Sequence, residues 1–166
     1  PANPNTASQQ AQRNAFKQTL QLWQSIKSWA KAVWNLSASG YPMSGYNYFM
    51  DKNVPHQKAA EALEVVLAND KYSRLAAWDC VTGASGHITC NWTHHDCDAN
   101  DKVVILYRRT NAYAYTEKTR AVLATADTYD LSGLTAGAQY EVAFGAYDSD
   151  GTYYDKFYAE ILNAGA

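Results

Sequence analysis

The sequence predicts an α+β protein in which an N-terminal helical arm precedes a C-terminal antiparallel β-sandwich. Leu134, Gly137 and Tyr140 follow the order L-x-x-G-x-x-Y. In a corner of this spacing, a tyrosine at the start of a strand turns back and hydrogen-bonds the backbone upstream. Apolar residues alternate along the strand that follows, which is the period of a strand with one buried face. The helical spacing of apolar residues in the first 53 positions predicts the arm.

The arm begins with an extended PANPN segment, after which Thr6 and Gln9 form a capping-box pattern that predicts a helix from about residue 7. Its apolar residues cover about half of the circumference, with a break expected near residues 24–28 and a further short helix from Ser44. Because about 100° is enough to pack a helix on one core, the wide arc predicts contact with two surfaces, either a second helix plus the sandwich or another subunit. The residues expected to form this assembly interface are Phe16, Leu20, Trp23, Trp29 and Trp34.

Residues 54–74 fit two interpretations. Pro55 suits the first turn of a separate helix that reaches about Ala62, whereas EVVLA could equally be the first strand of the sandwich. We place the domain boundary after this segment, with a helical arm at residues 1–70 and the sandwich at residues 71–166.

The second half resembles a fibronectin type III domain, an immunoglobulin-like sandwich, over roughly residues 73–163. The resemblance depends on Trp92 at the end of HITCNW, the strand DKVVILYR, the tyrosine corner and the last hairpin. Ala136 stands where the corner usually has proline. The resemblance implies a fold used mostly for spacers and binding modules, and it implies no particular activity.

The first half resembles the opening of a family of small uncharacterised bacterial and phage-encoded proteins. The resemblance is in NPNTASQQAQRNAFKQTLQLW followed by SGYNYFM, ahead of a fibronectin-like domain. Ala7-Ser8 stands where that family commonly has proline-alanine. Because no activity is assigned to the family, the resemblance implies no catalytic residue. The chain begins with Pro1 rather than methionine, so we expect a preceding segment to have been removed.

The three cysteines bear on the redox environment of the protein. A tight loop between neighbouring strands would bring Cys80 opposite Cys90, which predicts a disulfide and an exported, oxidising setting. The alternative is three free thiols in a reducing compartment. Cys97 has no assigned role.

The densest polar cluster is HHDCDAND at residues 94–101. Imidazole and thiolate are the donors that zinc and copper prefer, so the candidates for a metal site are His94, His95, Cys97 and Asp98. A calcium loop is excluded because Asp101 and Tyr107 stand where glycine and glutamate are needed. We expect a solvated turn here, with no metal and no other cofactor.

Charge is distributed unevenly along a chain whose net charge is −2. Residues 1–53 carry five basic side chains against Asp51 alone, a net +4, whereas residues 71–166 carry eight basic and twelve acidic side chains, a net −4. The sequence contains no Lys/Arg cluster of the kind that binds nucleic acid. It also contains no apolar run long enough to span a membrane. The asymmetry is either ordinary variation between solvated surfaces or a sign that the basic arm docks on an acidic sandwich.

No sequence motif of an enzyme is present, so we expect a non-enzymatic protein. Thirteen tyrosines and five tryptophans exceed what one small core needs, and such residues favour contact surfaces. Three of the tyrosines, Tyr153, Tyr154 and Tyr158, lie on the last strand, which we expect to be an edge strand of the sandwich. We therefore expect a structural subunit that self-associates in an extracellular surface fibre or a virion, with the arm docking on a neighbouring sandwich. The alternative is a carbohydrate- or protein-binding module, whose partner is a glycan or a surface protein. A metal-dependent enzyme ranks third.

Overall fold

A computed structural model of the chain describes residues 5–65, 75–94, 101–121, 128–147 and 157–166. The chain divides into two compact units, Pro1–Val66 and Leu67–Ala166. The first unit is helical and the second is a two-sheet antiparallel sandwich, which confirms the predicted fold class. The predicted boundary between residues 70 and 71 lies outside the described residues.

The helical unit contains α1 (Ala7–Ser25), α2 (Ser28–Ala38) and α3 (Gly45–Ala59). The predicted capping box starts α1, since the Thr6 hydroxyl accepts a hydrogen bond from the Gln9 N–H and the Gln9 side chain accepts one from the Thr6 N–H. The break is also confirmed, because Ile26 and Lys27 adopt extended backbone between α1 and α2.

Pro55 lies inside α3 and does not start a separate helix, so the predicted helix from Pro55 to about Ala62 is wrong. A proline within a helix removes one backbone hydrogen bond, here the one to the carbonyl of Asp51. Both residues are exposed, so water can reach that carbonyl and the helix continues. It ends at Ala59, and the next residue, Ala60, provides the cap through its left-handed backbone (φ 57°).

Buried hydrogen bonds attach the segment after α3 to the helical unit. The Asn53 side chain accepts from the Glu64 N–H at 2.8 Å and donates to the carbonyls of Phe49 and Glu64, both at 3.1 Å. The Trp34 indole donates to the Val65 carbonyl at 2.9 Å and packs edge-on against the Phe49 ring, with centroids 5.1 Å apart. Residues 63–65 therefore belong to the helical unit.

Within its described residues, the sandwich contains seven strands in two antiparallel sheets, with the orders β1-β2-β5 and β4-β3-β6-β7. The strands are β1 (Leu75–Thr82), β2 (Ile88–His94), β3 (Lys102–Arg109), β4 (Thr116–Ala121), β5 (Thr128–Leu131), β6 (Gln139–Tyr147) and β7 (Tyr158–Asn163). The last strand is an edge strand, as predicted.

The core lies between the sheets and includes Trp92, which is 2% exposed, and the alternating residues of β6. The predicted tyrosine corner is present: the Tyr140 hydroxyl accepts a hydrogen bond from the Thr135 N–H at 3.0 Å. Gly137 has a φ of 69° within this corner, a conformation that an L side chain would strain.

Residues 164–165 are clamped between two loops of the sandwich. Gly86 in the β1–β2 loop donates its N–H to the Gly165 carbonyl at 2.7 Å, and the Gly165 N–H donates to the His87 carbonyl at 3.1 Å. From the other side, the Gly137 N–H donates to the Ala164 carbonyl at 3.1 Å. A Cβ on Gly165 would overlap a carbonyl oxygen of the β1–β2 loop, so only glycine fits this clamp.

An ion pair is buried between β3 and β6. Arg108 donates from Nε and Nη2 to one oxygen of Glu141, at 2.8 and 2.6 Å, and the Glu141 side chain is fully buried. The Nη1 atom of Arg108 donates to the carbonyls of Thr110 and Ala112. The Tyr115 ring lies 5.3 Å from the guanidinium, and burial raises the pKa of the Tyr115 hydroxyl well above its ordinary value.

Candidate contact surfaces

The five residues predicted to form an interface do not share one surface. Phe16 is 48% exposed, Leu20, Trp23 and Trp29 are partly buried, and Trp34 is fully buried. Trp34 packs within the helical unit and is therefore a core residue rather than an interface residue. The reason is the break after α1, because a helical wheel drawn through residue 34 as one helix loses its phase where the backbone becomes extended.

The buried row of α1 lies beside the predicted stripe and consists of Ala15, Thr19 and Leu22. Trp23 is held at the edge of this core, with its ring 5.2 Å from the Phe49 ring. The core-facing side of α1 therefore uses mostly small residues, which leaves the large Phe16 outside.

Phe16 is the centre of an exposed apolar and basic surface on α1. Residues three or four apart on a helix are neighbours, so Arg13 and Leu20 flank Phe16 along the helix, and the exposed Lys17 follows it. We call Arg13, Phe16, Lys17 and Leu20 the Phe16 surface. No acidic residue occurs on α1.

A second exposed group, which was not predicted, lies at the C-terminal end of α2 and in the turn that follows it. Leu36 is 72% exposed, Tyr41 54% and Met43 38%. The Tyr41 ring lies 5.1 Å from that of Tyr48, and the Lys52 ammonium lies 5.6 Å from the Tyr48 ring. The sequence signal was apolar residues within the turn around Gly40, where burial is uncommon.

Cys80 and Cys90 lie opposite each other on β1 and β2, as predicted. Both are free thiols, with their sulfur atoms 3.4 Å apart, whereas a disulfide has a length of about 2.05 Å. The hydrogen bond with Cys90 and burial raise the pKa of Cys80 above its ordinary value, which keeps this thiol protonated. The structure thus brings the two residues together without a covalent bond.

The metal candidates fall mainly outside the described residues. His94 ends β2 and is partly buried, while His95, Cys97 and Asp98 are not described. In the described ranges, no group of three or more His, Cys, Asp and Glu side chains could hold a metal ion.

A cleft of about 520 Å³ lies against the β1-β2-β5 sheet of the sandwich. It is lined by Ala77, Trp78, Asp79, Asn91, Trp92, Thr93 and Thr128. Sequence reasoning missed its polar residues because they come from three strands, two of which are far apart along the chain.

None of the helices in the described part of the chain has the length and apolarity that crossing a membrane requires.

The three-plus-four strand order and the tyrosine corner make the second unit a fibronectin type III-like sandwich, which follows an N-terminal helical region. Solved structures with this fold resemble it at low identity. An FN3 domain of human collagen XX is 17% identical over 60% of this chain and 98% of that chain, with a TM-score of 0.49. The FN1–FN3 domains of chicken CNTN1 are 15% identical over 55% of this chain and 32% of that chain, with a TM-score of 0.48.

The structure of a myokine is 12% identical over 57% of this chain and 98% of that chain, with a TM-score of 0.47. These likenesses concern the fold alone. No family model matches the sequence, and no curated protein matches it.

Proposed function

We propose that this protein is a structural subunit that self-associates in an extracellular surface fibre or a virion-type assembly, with the helical arm of one copy docking on the sandwich of a neighbouring copy. The proposed role is non-enzymatic, and its principal partner is another copy of the chain. The observation that carries the proposal is the Phe16 surface, in which a large aromatic side chain remains 48% exposed between basic residues.

Charge supports the sandwich as the partner of this surface. The helical unit carries six basic and three acidic side chains, a net +3, and residues 67–166 carry eight basic and thirteen acidic side chains, a net −5. Opposite charges accelerate the encounter of two copies and set the register of their contact. Phe16, once buried in that contact, would contribute most of the free energy of binding. A contact between two different surfaces of identical subunits is heterologous and grows an open filament or closes into a ring.

Light scattering coupled to size-exclusion chromatography tests this proposal. We expect the full chain to form concentration-dependent oligomers and Phe16→Gln to remain monomeric with an unchanged helical circular dichroism signal. Leu36→Gln is the matched control, since it replaces a still more exposed apolar residue of the same unit outside the Phe16 surface. A monomeric parent chain, or oligomers that persist in Phe16→Gln, would contradict the proposal.

A truncation tests which of the two units forms the contact between copies. Removal of residues 1–66 deletes the whole helical unit, whereas a cut after residue 53 would divide α3. We expect the remaining sandwich to stay folded and monomeric. Oligomers of the truncated chain would instead indicate the edge strand β7, for which the sequence suggested Tyr153, Tyr154 and Tyr158 as contacts; the first two lie outside the described residues.

We also propose that Cys80 and Cys90 form a disulfide in the oxidising setting of an extracellular or virion protein. Their opposite positions on neighbouring strands and the 3.4 Å separation of their sulfur atoms support this pairing. Mass spectrometry of the unreduced protein is expected to find these two residues linked. Free thiols at both positions in protein kept under oxidising conditions, or a link from either residue to Cys97, would contradict it.

Finally, we propose kinship with the small bacterial and phage-encoded proteins that combine an NPNTxxQQ helical opening with a fibronectin-like domain. The motif residues support this, since Thr6 and Gln9 within that opening form the capping box that starts α1. Isolation of the native assembly from its source, followed by identification of its components, is the experiment that tests this kinship and the localisation together.

A further inference from the structure

The β1-β2-β5 sheet has a solvent-facing side opposite to its core side. Side chains alternate along each strand, so the paired Trp78 and Trp92 lie on the core side, whereas the paired Asp79 and Asn91 lie on the other side. Thr128 of β5 pairs with Asn91 and shares its side. We call this side the outer sheet face, and its positions include Asp79, Val81, Asn91, Thr93, Thr128 and Asp130.

Charge differs between the two sheets of the sandwich. The strands β1, β2 and β5 carry Asp79 and Asp130 and no Lys or Arg, a net −2. The strands β3, β4, β6 and β7 carry five basic and three acidic side chains, a net +2. The Phe16 surface carries Arg13 and Lys17, and α1 has no acidic residue. This surface is therefore attracted to the three-stranded sheet and repelled by the four-stranded sheet.

The outer sheet face matches one helix in its dimensions. Neighbouring strands lie about 4.8 Å apart, so the distance across the three strands is about 10 Å, and an α-helix with its side chains is about 10–12 Å wide. The Phe16 surface extends from Arg13 to Leu20, a rise of about 10 Å along α1. Residues 89–93 of β2 cover about 13 Å. A helix that lies along β2 can therefore contact all three strands.

The cleft against this sheet has room for the ring of Phe16. Its lining includes Asn91, Thr93 and Thr128 of the outer sheet face, and its volume is about 520 Å³. A cavity of about 150 Å³ is enough to hold benzene, so one aromatic ring fits with space to spare. Val81 follows on the same face and is 43% exposed, which adds an apolar contact beside the carboxylate of Asp79.

From this charge, width and cleft, we propose that the outer sheet face receives the Phe16 surface of another copy, with α1 lying along β2 and the Phe16 ring in the cleft. The basic side chains of α1 then approach the carboxylates of Asp79 and Asp130. The contact rests on the self-association proposed above and adds the surface of the sandwich that takes part in it. Because the two surfaces differ, each copy donates one helix and accepts another.

Two full-length variants that each lose one half of the contact test the proposal. Phe16→Gln removes the donated side chain and keeps the outer sheet face, whereas Asp79→Lys reverses a charge on that face and keeps α1. Sedimentation velocity is expected to show self-association weakened about 10-fold or more in each variant, in Asp79→Lys because like charges then oppose each other. An equimolar mixture is expected to form a 1:1 dimer that does not grow, since only one intact helix meets one intact face.

Two more variants control for folding and for net charge. Thr93→Lys adds a positive charge at another exposed position of the outer sheet face and is expected to behave as Asp79→Lys does, so the result does not depend on the folding of a single variant. Asp51→Lys is the matched control, because it makes the same change of charge as Asp79→Lys at an exposed position of α3. We expect it to associate as the parent chain does.

The outcomes separate this contact from self-association itself. A monomeric parent chain would overturn both. Oligomers that are lost in Phe16→Gln but persist in Asp79→Lys or Thr93→Lys would overturn only the assignment of the outer sheet face, because the helix would then dock elsewhere. The same assignment is overturned if the equimolar mixture stays monomeric, or if Asp51→Lys weakens association as much as Asp79→Lys does.

Discussion

Breaking the buried pair between Arg108 and Glu141 is expected to destabilise the sandwich strongly. Glu141→Leu leaves a guanidinium whose side chain is only 5% exposed without its carboxylate, and removal of one partner of a buried pair costs about 3–5 kcal/mol. Arg108→Met removes the guanidinium that neutralises the buried carboxylate of Glu141 and should cost a similar amount.

The double variant Arg108→Met/Glu141→Leu removes both charges. Replacing a buried ion pair by apolar residues is neutral or stabilising by about 1–4 kcal/mol. The carbonyls of Thr110 and Ala112 lose their Arg108 donor, at about 1 kcal/mol each. These contributions nearly cancel, so the free energy of unfolding should lie within about 2 kcal/mol of the parent value.

Urea unfolding of all four proteins, followed by tryptophan fluorescence, measures the coupling between the two substitutions. We expect the double variant to be more stable than either single variant. If the two single effects simply add, the pair is not coupled and the reasoning from its burial is wrong.

Three further perturbations test other contacts. Tyr140→Phe should lower the free energy of unfolding by about 1–3 kcal/mol in urea, because the Thr135 N–H loses its acceptor; a loss below about 0.5 kcal/mol would contradict this. Trp34→Phe should destabilise the helical unit by a similar amount, because the Val65 carbonyl loses its donor. Thermal unfolding followed by helical circular dichroism measures this, and an unchanged transition would show that the hydrogen bond contributes nothing. Since burial raises the pKa of Tyr115 in the folded state, the unfolded state ionises first, and stability present below about pH 10 is lost as the pH rises above it. Unfolding at about pH 9 and 11 should therefore show a smaller alkaline loss in Tyr115→Phe than in the parent, whereas the exposed Tyr113→Phe should behave as the parent.

Features set by neighbouring residues were predictable from the sequence. The capping box of Thr6 and Gln9 requires residues three apart, and the corner at Tyr140 requires residues six apart or fewer. The opposition of Cys80 and Cys90 follows from one short loop between two strands. In each case the local geometry of the chain determines the contact.

Features that depend on helix phase or on distant strands were not predictable. The burial of Trp34 could be predicted only with the angle between α1 and α2 at the break. A helical wheel drawn through both helices as one does not contain that angle. Pro55 favoured a helix start in the sequence analysis. In the structure it is exposed, so water can reach the carbonyl that loses its hydrogen bond, and α3 continues through it. Asn91 and Thr128 line the same cleft and are joined by a hydrogen bond, and that contact depends on the register between β2 and β5, whose two residues are 37 positions apart in the sequence.

The clamp on residues 164–165 has a mechanical consequence for the fibre subunit that we propose. Tension applied to the chain beyond β7 acts first on hydrogen bonds to the loop that contains Gly86 and to Gly137 in the corner. These bonds attach one short segment to two loops that are far apart in the sequence, so they bear the load together rather than one after another. Only after they break can β7 peel away from β6. Replacement of Gly165 by a residue with a side chain would therefore weaken the resistance of the sandwich to pulling, at a position outside its hydrophobic core.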